Sequence, residues 1–495
     1  MTERYQAIYQ QRLAKLQRLR DRGIDPYPPR YNRSHSTAEA LDAFQAWESR
    51  GSAGEAPRVS VAGRITATRD MGRATFIDLR DGSGSIQTHF RQNTLGEEAY
   101  AGLRDLDLGD FLGVSGPLFR TRSGEVTVQA VDYTVLAKAL LPPPEKWHGL
   151  QDVETRYRQR YLDLMASQEV RGLFALRSRV ISAIRRFMDA RGFLEVQTPV
   201  LQPEAGGAAA TPFVTHHKAL DRALYLRIAT ELHLKRLIIG GFDRVYEIGP
   251  VFRNEGISTR HNPEFTMMES YEAYADYHDV ARMVEDLVSG VAREVLGTTS
   301  IVHGDAVIDL EPPWRRLTMR EALIEHAALD FADYRDDPER LRARLQEIGV
   351  HVELGWSWGK LIDEAVSTCV EPRLIQPTFL TDYPWELSPL AKRKPEDPEL
   401  VERFEPFCAG MEFGNAYTEL NDPVEQRERF KVQARLRAAG LEDVETMDED
   451  FLLALEHGMP PTGGLGLGID RLIMILTGQT SIREVILFPQ LRSKE

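Results

Sequence analysis

The chain has 495 residues, 42% hydrophobic and 27% charged, which is room for two or three globular domains of ordinary soluble composition. A formal charge of −14 argues against an unspecific nucleic-acid binder while leaving a local basic surface open. Two cysteines, Cys369 and Cys408, argue against a disulfide framework or a cysteine zinc site; with no apolar leader and no bilayer-length apolar run, the expectation is a cytoplasmic protein without membrane contact.

Residues 3–22 place Tyr5, Ile8, Tyr9, Leu13, Leu16 and Leu19 on one arc, which predicts an amphipathic helix. Arg4, Lys15, Arg18 and Arg22 run beside that arc, either as the solvated face of a docking helix or as a stripe touching phosphates. Gly23 and the DPYPPR segment end it, a second helix is expected over about Thr37–Arg50, and Gly51-Ser52-Ala53-Gly54 marks a boundary. From Val59 to about Leu136 the period changes to two. The segments VSVAGRITATR, ATFIDLRD, GSIQTHF, DFLGVSGPLFR and VTVQAVDYTVLA predict five short strands, with Asp81-Gly82-Ser83-Gly84 as a hairpin turn. Five strands of this size suit an OB barrel, a fold that often binds single-stranded nucleic acid. Pro142-Pro143-Pro144 is a stiff break that opens a hinge region.

Residues 169–191 carry Val170, Leu173, Phe174, Val180, Ile181, Ile184, Phe187 and Met188 on one helical arc, capped by Gly192 and followed by the strand FLEVQTPVL. Pro199 puts that strand near an edge or bulge. Gly206 to Ala210 is a loop of small residues, and Thr230-Glu231 opens an apolar helix, LHLKRLIIGG. Strand-like stretches then flank a loop holding Arg253, Glu255, His261, Asn262 and Phe265. An arginine fork, a histidine and an aromatic on such a hairpin suit a nucleoside triphosphate. Glu269 and Tyr271 alternate onto one face of a strand. The stretch 280–375 reads as an insertion and helical packing. Beyond it, Glu405 and Glu412 are carboxylates of the kind that hold magnesium beside phosphates. The run GGLGLGIDRL closes the list of candidates; it lacks the βαβ context of a dinucleotide loop.

The run Tyr225–Tyr277 resembles motif 2 of the class II aminoacyl-tRNA synthetases, in detail their lysyl group, and the resemblance extends over nearly the whole chain. Helix 169–191 with its strand resembles motif 1, and GGLGLGIDRL resembles motif 3. The resemblance implies an α+β protein: a helical extension (1–55), a five-stranded OB β-barrel that binds the anticodon (56–140), a linker (141–168), and a catalytic domain (169–495) whose antiparallel sheet is flanked by helices. Motif 1 implies a homodimer. Arg253 would bridge the α-phosphate and the substrate carboxylate, Glu255 and Asn262 would lie near adenine, and Phe265 would stack on it. His261 and Arg471 would reach the γ-phosphate. Glu405 and Glu412 would hold Mg²⁺, with Glu405 also facing ATP. Gly207 would offer backbone to the amino acid and Glu231 would take its α-amino group; Asn415, Tyr417 and Glu419 would contact it. In the barrel, Phe76 would stack on the central anticodon base and Gln87 would read its edge, with Arg69 and Glu125 as further contacts. Glu269 and Glu419, with Tyr271, stand where the substrate side chain would end, and two carboxylates suit an ammonium. The implied substrates are L-lysine, ATP and tRNA(Lys). A competing reading, a lysyl-adenylate enzyme that modifies protein, has no use for an OB domain. Another, a non-catalytic RNA-binding paralogue, conflicts with the presence of Arg253, Glu405, Glu412 and Arg471.

Overall fold

In the computed structural model the period-two stretch closes into a barrel. Its strands are β1 (Arg58–Asp70), β2 (Ala74–Arg80), β3 (Ser85–Arg91), β4 (Phe111–Arg120), β5 (Val126–Gln129) and β6 (Asp132–Ala137). β1 pairs antiparallel with both β2 and β4, which closes the ring. The structure describes residues 3–144, 150, 152–204, 206–208, 210–438 and 447–492, without the side chains of 436–438. Residues 145–149 and 151 of the expected linker, and Ala209 of the small-residue loop, lie outside them. The chain divides into two compact units, Met1–Gln151 and Asp152–Glu495.

Where one fifth strand was expected, there are two. Ala130 N–H bonds to the His89 carbonyl and Val131 N–H to that of Ser115, each at 2.9 Å, so the chain crosses from β3 to the far half of β4. The crossing is tight. A Cβ on Gly116 would lie 1.8 Å from the Gln129 carbonyl oxygen. Inside the barrel, alternate residues such as Val61, Ile77, Leu79, Phe90, Leu112 and Val128 form the core. Two helices cover it: α1 (Glu3–Asp21), through Leu19, and α2 (Thr37–Ser49), through Ala40 and Phe44. The α2 start is fixed by a capping box between Ser36 and Glu39. The basic stripe of α1 is largely engaged within this unit. Lys15 pairs with Asp107, Arg18 and Arg22 share Asp105, and Arg12 donates to the carbonyls of Ala139 and Leu141. These contacts are those of a docking helix.

The second unit is built on one sheet, mainly antiparallel. Its strands are β7 (Leu194–Glu195), β8 (Arg244–Phe252), β9 (Glu264–Ala273), β10 (Arg315–Thr318), β11 (Thr378–Pro384), β12 (Leu400–Cys408), β13 (Met411–Glu412), β14 (Gly414–Thr418) and β15 (Thr462–Gly468). The order is β10-β11-β12-β14-β15-β9-β8-β7, with β13 paired to β12; only the two end pairs are parallel. One face packs on three helices, α3 (Gln168–Ala190), α4 (Tyr277–Leu296) and α5 (Ile469–Thr477), through Val180, Ile184, Val284, Leu287, Leu472 and Ile473. Of the stretch read as an insertion, α4 therefore belongs to the main core and β10 to the main sheet. Its remaining helices, such as Trp358–Cys369, form a second core against β11 and β12. The hinge reading also changes at its C-terminal end. Val153–Arg158 and Arg160–Ala166 are helices of this unit, and the fully buried Arg160 donates to the carbonyls of Leu487 and Arg483. The strand expected over FLEVQTPVL is only Leu194–Glu195, with Leu201–Gln202 in a small separate sheet. Between them, the Thr198 N–H and hydroxyl both bond to Glu247, and Pro199 has no N–H to give.

Candidate active site

Strand register brings the expected residues into rows. Across β9, β15 and β14, Glu269 stands opposite Gly466 and Gly466 opposite Asn415; one step on, Tyr271, Gly464 and Tyr417 form the next row, and Arg403 of β12 pairs with Tyr417. β15 alternates. Leu465 and Leu467 enter the core, while Gly464, Gly466 and Gly468 leave the other face bare. That bareness is required. A Cβ on Gly464 would lie 1.8 Å from Glu419 Oε1 and 2.7 Å from the Tyr271 ring.

At one end of the rows, three carboxylates are buried: Glu231, Glu269 and Glu419, at 6%, 3% and 1% exposure. Glu231 is the first residue of a helix running to Ile239, and both its oxygens accept from the Tyr417 hydroxyl at 2.7 Å. Gly207 has φ +85°, and a Cβ there would come within 3.1 Å of Glu231 Cβ, so glycine suits both its backbone and its neighbour. Glu269 accepts from Thr230 N–H at 2.9 Å and from the Tyr271 hydroxyl at 3.4 Å. Burial, with Glu231 as a nearby like charge, pushes its carboxyl up to about 7 despite the Thr230 bond. Burial also raises Glu419 well above the usual range, with Glu231 and Glu269 adding to it and Lys235 opposing. Lys235, which the sequence reading passed over, pairs with Glu231 at 2.5 Å and with Glu419. Its i,i+4 spacing from Glu231 on the same helix was the available signal.

The other end is cationic. Arg253 sits over the Phe265 ring, 5.2 Å from its centroid, and its buried Nε has no hydrogen-bond partner among the described residues. Burial pulls its guanidinium pKa down, while Glu255, Glu412 and Glu269 oppose that shift. Arg471 donates to the Glu412 carboxylate at 2.7 Å and lies 3.3 Å from His261 Nε2. His261 Nδ1 meets the Ser258 hydroxyl at 2.9 Å, which fixes the ring. Glu255 is exposed. Asn262 is held at both ends of its amide, donating to the Glu264 carbonyl and accepting from Gln490 N–H, so it braces the loop. Glu405 accepts from Arg403 and from the Tyr383 hydroxyl, each at 2.6 Å, and Arg403 also donates to Asn415 at 2.8 Å. Arg403 thus ties Glu405 to Asn415. It was not singled out from the sequence, where it reads as an ordinary charged residue on a strand.

The barrel brings Arg69, Phe76 and Gln87 onto neighbouring strand positions, with Glu125 in the turn between β4 and β5. Arg69 pairs in register with Phe76, and Asp78 with Gln87. Phe76 stacks on His89 at 4.3 Å and 8°, and Phe119 tilts against the same ring at 5.8 Å. Gln87 donates to Glu125 at 2.7 Å and accepts from Thr127 at 2.9 Å, so its amide orientation is set. Arg69 forks onto both oxygens of Asp78. His89 and Phe119 were not anticipated; His89 sits two residues from Gln87 and opposite Phe76, where the strand period could have placed it, whereas Phe119 arrives from β4, in register with Thr127.

Comparison with known proteins agrees with this anatomy. The model of tRNA synthetases class II (D, K and N) matches residues 152–492, and that of the OB-fold nucleic acid binding domain matches 59–136. The chain is 57% identical over 498 residues to the lysine–tRNA ligase of Dehalococcoides mccartyi, covering 100% of this chain and 99% of that protein. The lysine–tRNA ligases of Carboxydothermus hydrogenoformans and Roseiflexus castenholzii are each 54% identical, covering 98% and 99% of this chain and the same shares of their own. The chain belongs to the class II tRNA synthetases (D, K and N), and within them to the lysine–tRNA ligase family.

Proposed function

We propose that this chain joins L-lysine to ATP, forming lysyl-adenylate and pyrophosphate, and then passes the lysyl group to the 3′-terminal adenosine of tRNA(Lys). The observation that carries the substrate reading is the pair Glu269 and Glu419, buried on the same sheet face as Tyr271, with the unpartnered Nε of Arg253 nearby. A dicationic amino acid would set its two ammonium groups against the carboxylates and its own carboxylate against Arg253. In the first step a substrate carboxylate oxygen attacks the α-phosphorus and the bond to pyrophosphate breaks. Arg253 bridges the two reactants, which turns a bimolecular encounter into an aligned one. Arg471 and His261 face the outer phosphates, where negative charge leaves. Phe265 and Glu255 flank the adenine, and Asn262 holds their loop. In the second step the terminal ribose hydroxyl attacks the lysyl carbonyl and AMP departs. Gly207, Glu231, Asn415 and Tyr417 hold the amino acid through both steps.

Glu405 and Glu412 fit a hard divalent cation. Glu405 is raised to about 7 by burial, and Glu412 pushes it in the same direction against the opposing charge of Arg403. Among the described residues no three acidic, histidine or cysteine side chains are grouped to hold a metal alone, so phosphate oxygens would complete the shell. Magnesium bound there would neutralise charge on the triphosphate.

Phe76, Gln87, Arg69 and Glu125 would read the anticodon, and we take 56–140 as the anticodon-binding domain and 169–495 as the catalytic one. Leu194, beside α3, and Leu201 of the small sheet, 46% and 47% exposed, suit cover by a second copy in a homodimer. No helix among the described residues is long and apolar enough to cross a membrane, and both cysteines are free, which suits a cytoplasmic enzyme. The direct test is Glu419→Gln in lysine-dependent ATP–pyrophosphate exchange. Removing one partner of a buried charge contact costs about 2–5 kcal/mol, so lysine KM should rise about thirtyfold or more while ATP KM stays near wild type. Equal loss for both substrates overturns the assignment.

A further inference from the structure

The carboxylates assigned to the substrate already hold a lysine of the chain itself. Lys235 is 0% exposed, lies four residues after Glu231 on the same helix, and pairs with both Glu231 and Glu419. Its Nζ also lies 5.6 Å from the centroid of the Tyr417 ring and 5.7 Å from that of Phe451. Enclosed by two rings and tethered to a helix, this ammonium is part of the pocket wall. Around it stand Glu231 on the helix, Glu419 after β14, Tyr417 on β14, and Glu269 and Tyr271 on β9; Arg253 follows β8.

The charges of these groups can be counted. Glu231, Glu269 and Glu419 supply three negative charges once Glu269 and Glu419, both raised by burial, have ionised, and Lys235 supplies one positive charge, which leaves two. Lysine brings two ammonium groups, and its carboxylate is matched separately by Arg253. Without Lys235 the filled pocket would hold an excess negative charge in a buried setting, where an uncompensated charge is strongly disfavoured. We propose that Lys235 is a resident counter-ion that sets the charge of the amino-acid pocket at two, and so selects an amino acid with two ammonium groups. It acts through Glu231 and Glu419 and is a positioning residue. The proposal rests on the reading of Glu231, Glu269 and Glu419 as the lysine pocket.

A charge-matched double variant separates this role from simple packing. Lysine KM and ATP KM are measured by pyrophosphate exchange for Lys235→Met, Glu419→Gln, the double Lys235→Met/Glu419→Gln, and Lys235→Arg, with thermal melting alongside. Lys235→Met leaves three negative charges and Glu419→Gln leaves one; the double variant returns to two. Lys235→Met should raise lysine KM by about tenfold or more and Glu419→Gln by about thirtyfold or more, each leaving ATP KM within about twofold, in line with charge pairs of this kind. The double variant should bind lysine at least about tenfold better than Glu419→Gln alone, a strong departure from additivity. Lys235→Arg should retain part of the lysine affinity that Lys235→Met loses. A double variant as weak as, or weaker than, Glu419→Gln overturns the counter-ion role while leaving the pocket reading intact. A Glu419→Gln variant with unchanged lysine KM overturns the pocket reading itself. If Lys235→Met does not fold, the comparison of the double variant with Glu419→Gln still decides.

Discussion

Phe76→Ala is expected to damage the tRNA reaction and spare lysine activation. One face of the Phe76 ring lies on His89 at 4.3 Å, and the side chain is half-buried, on the face of β2 opposite Ile77 and Leu79. A base stacked on this ring would contribute about 1–3 kcal/mol, so losing it should raise tRNA KM about 5- to 150-fold. The cost to folding should be about 1–2 kcal/mol, well under the loss for a fully buried phenylalanine. Aminoacylation with tRNA as the varied substrate measures the first effect. Lysine-dependent ATP–pyrophosphate exchange, which uses residues of the other unit alone, serves as the parallel assay and should stay within about twofold, as expected for a site not touching the substrate. If exchange falls as far as aminoacylation, Phe76 supports the fold and the anticodon reading of this surface is wrong. An unchanged tRNA KM would refute it equally.

Two further outcomes follow from the catalytic unit. Glu269, raised to about 7, and Glu419, also raised by burial, must ionise to receive ammonium groups, so lysine binding should weaken as pH falls below 7 and should release about half a proton or more per molecule at pH 7. Calorimetry in two buffers of different ionisation enthalpy reads this, and a buffer-independent heat at pH 7 contradicts it. Gly464→Ala places a methyl 1.8 Å from Glu419 Oε1 and so displaces that carboxylate. Lysine KM should rise about tenfold or more, since displacements on the order of 1 Å are costly at a site, with ATP KM unchanged; an unaltered lysine KM would mean that Glu419 does not touch lysine.

Much of this architecture was legible because it rests on local period. The barrel strands alternate in sequence as they do in space, and the apolar arcs of residues 3–22 and 169–191 became helices, the second packed on the main core and the first buried at Leu16 and Leu19 while Tyr5 and Leu13 stay exposed. The Ala130–Val131 crossing was not legible, because the hydrogen bonds that divide the strand come from His89 and Ser115, distant in sequence. FLEVQTPVL read as one strand because its apolar pattern continues through Thr198; the Glu247 carboxylate that draws Thr198 out of the sheet is 49 residues away. Within the site, residues on recognisable runs were found, whereas Arg403 and Lys235 were missed. Each is an ordinary charge in a run that carries others, and its meaning lies in partners distant along the chain: Asn415 for Arg403, Glu419 for Lys235. Rows such as Tyr271, Gly464 and Tyr417 exist only once three strands are in register.

The bare face of β15 has a consequence for how such an enzyme changes over generations. Gly464, Gly466 and Gly468 contribute main chain and nothing else to the face that bears Glu269, Tyr271 and Tyr417 on either side. Substitutions on β9 or at the end of β14 alter the electrical character of the cleft and leave its depth alone. On β15 the two effects separate at Gly466, where a Cβ would meet the Met267 methyl at 3.1 Å and the Asn415 carbonyl at 3.8 Å and would alter depth without touching a carboxylate; at Gly464 it would displace Glu419. Size and polarity are thus adjustable on separate strands at one position of β15 and locked together at the next on the same face.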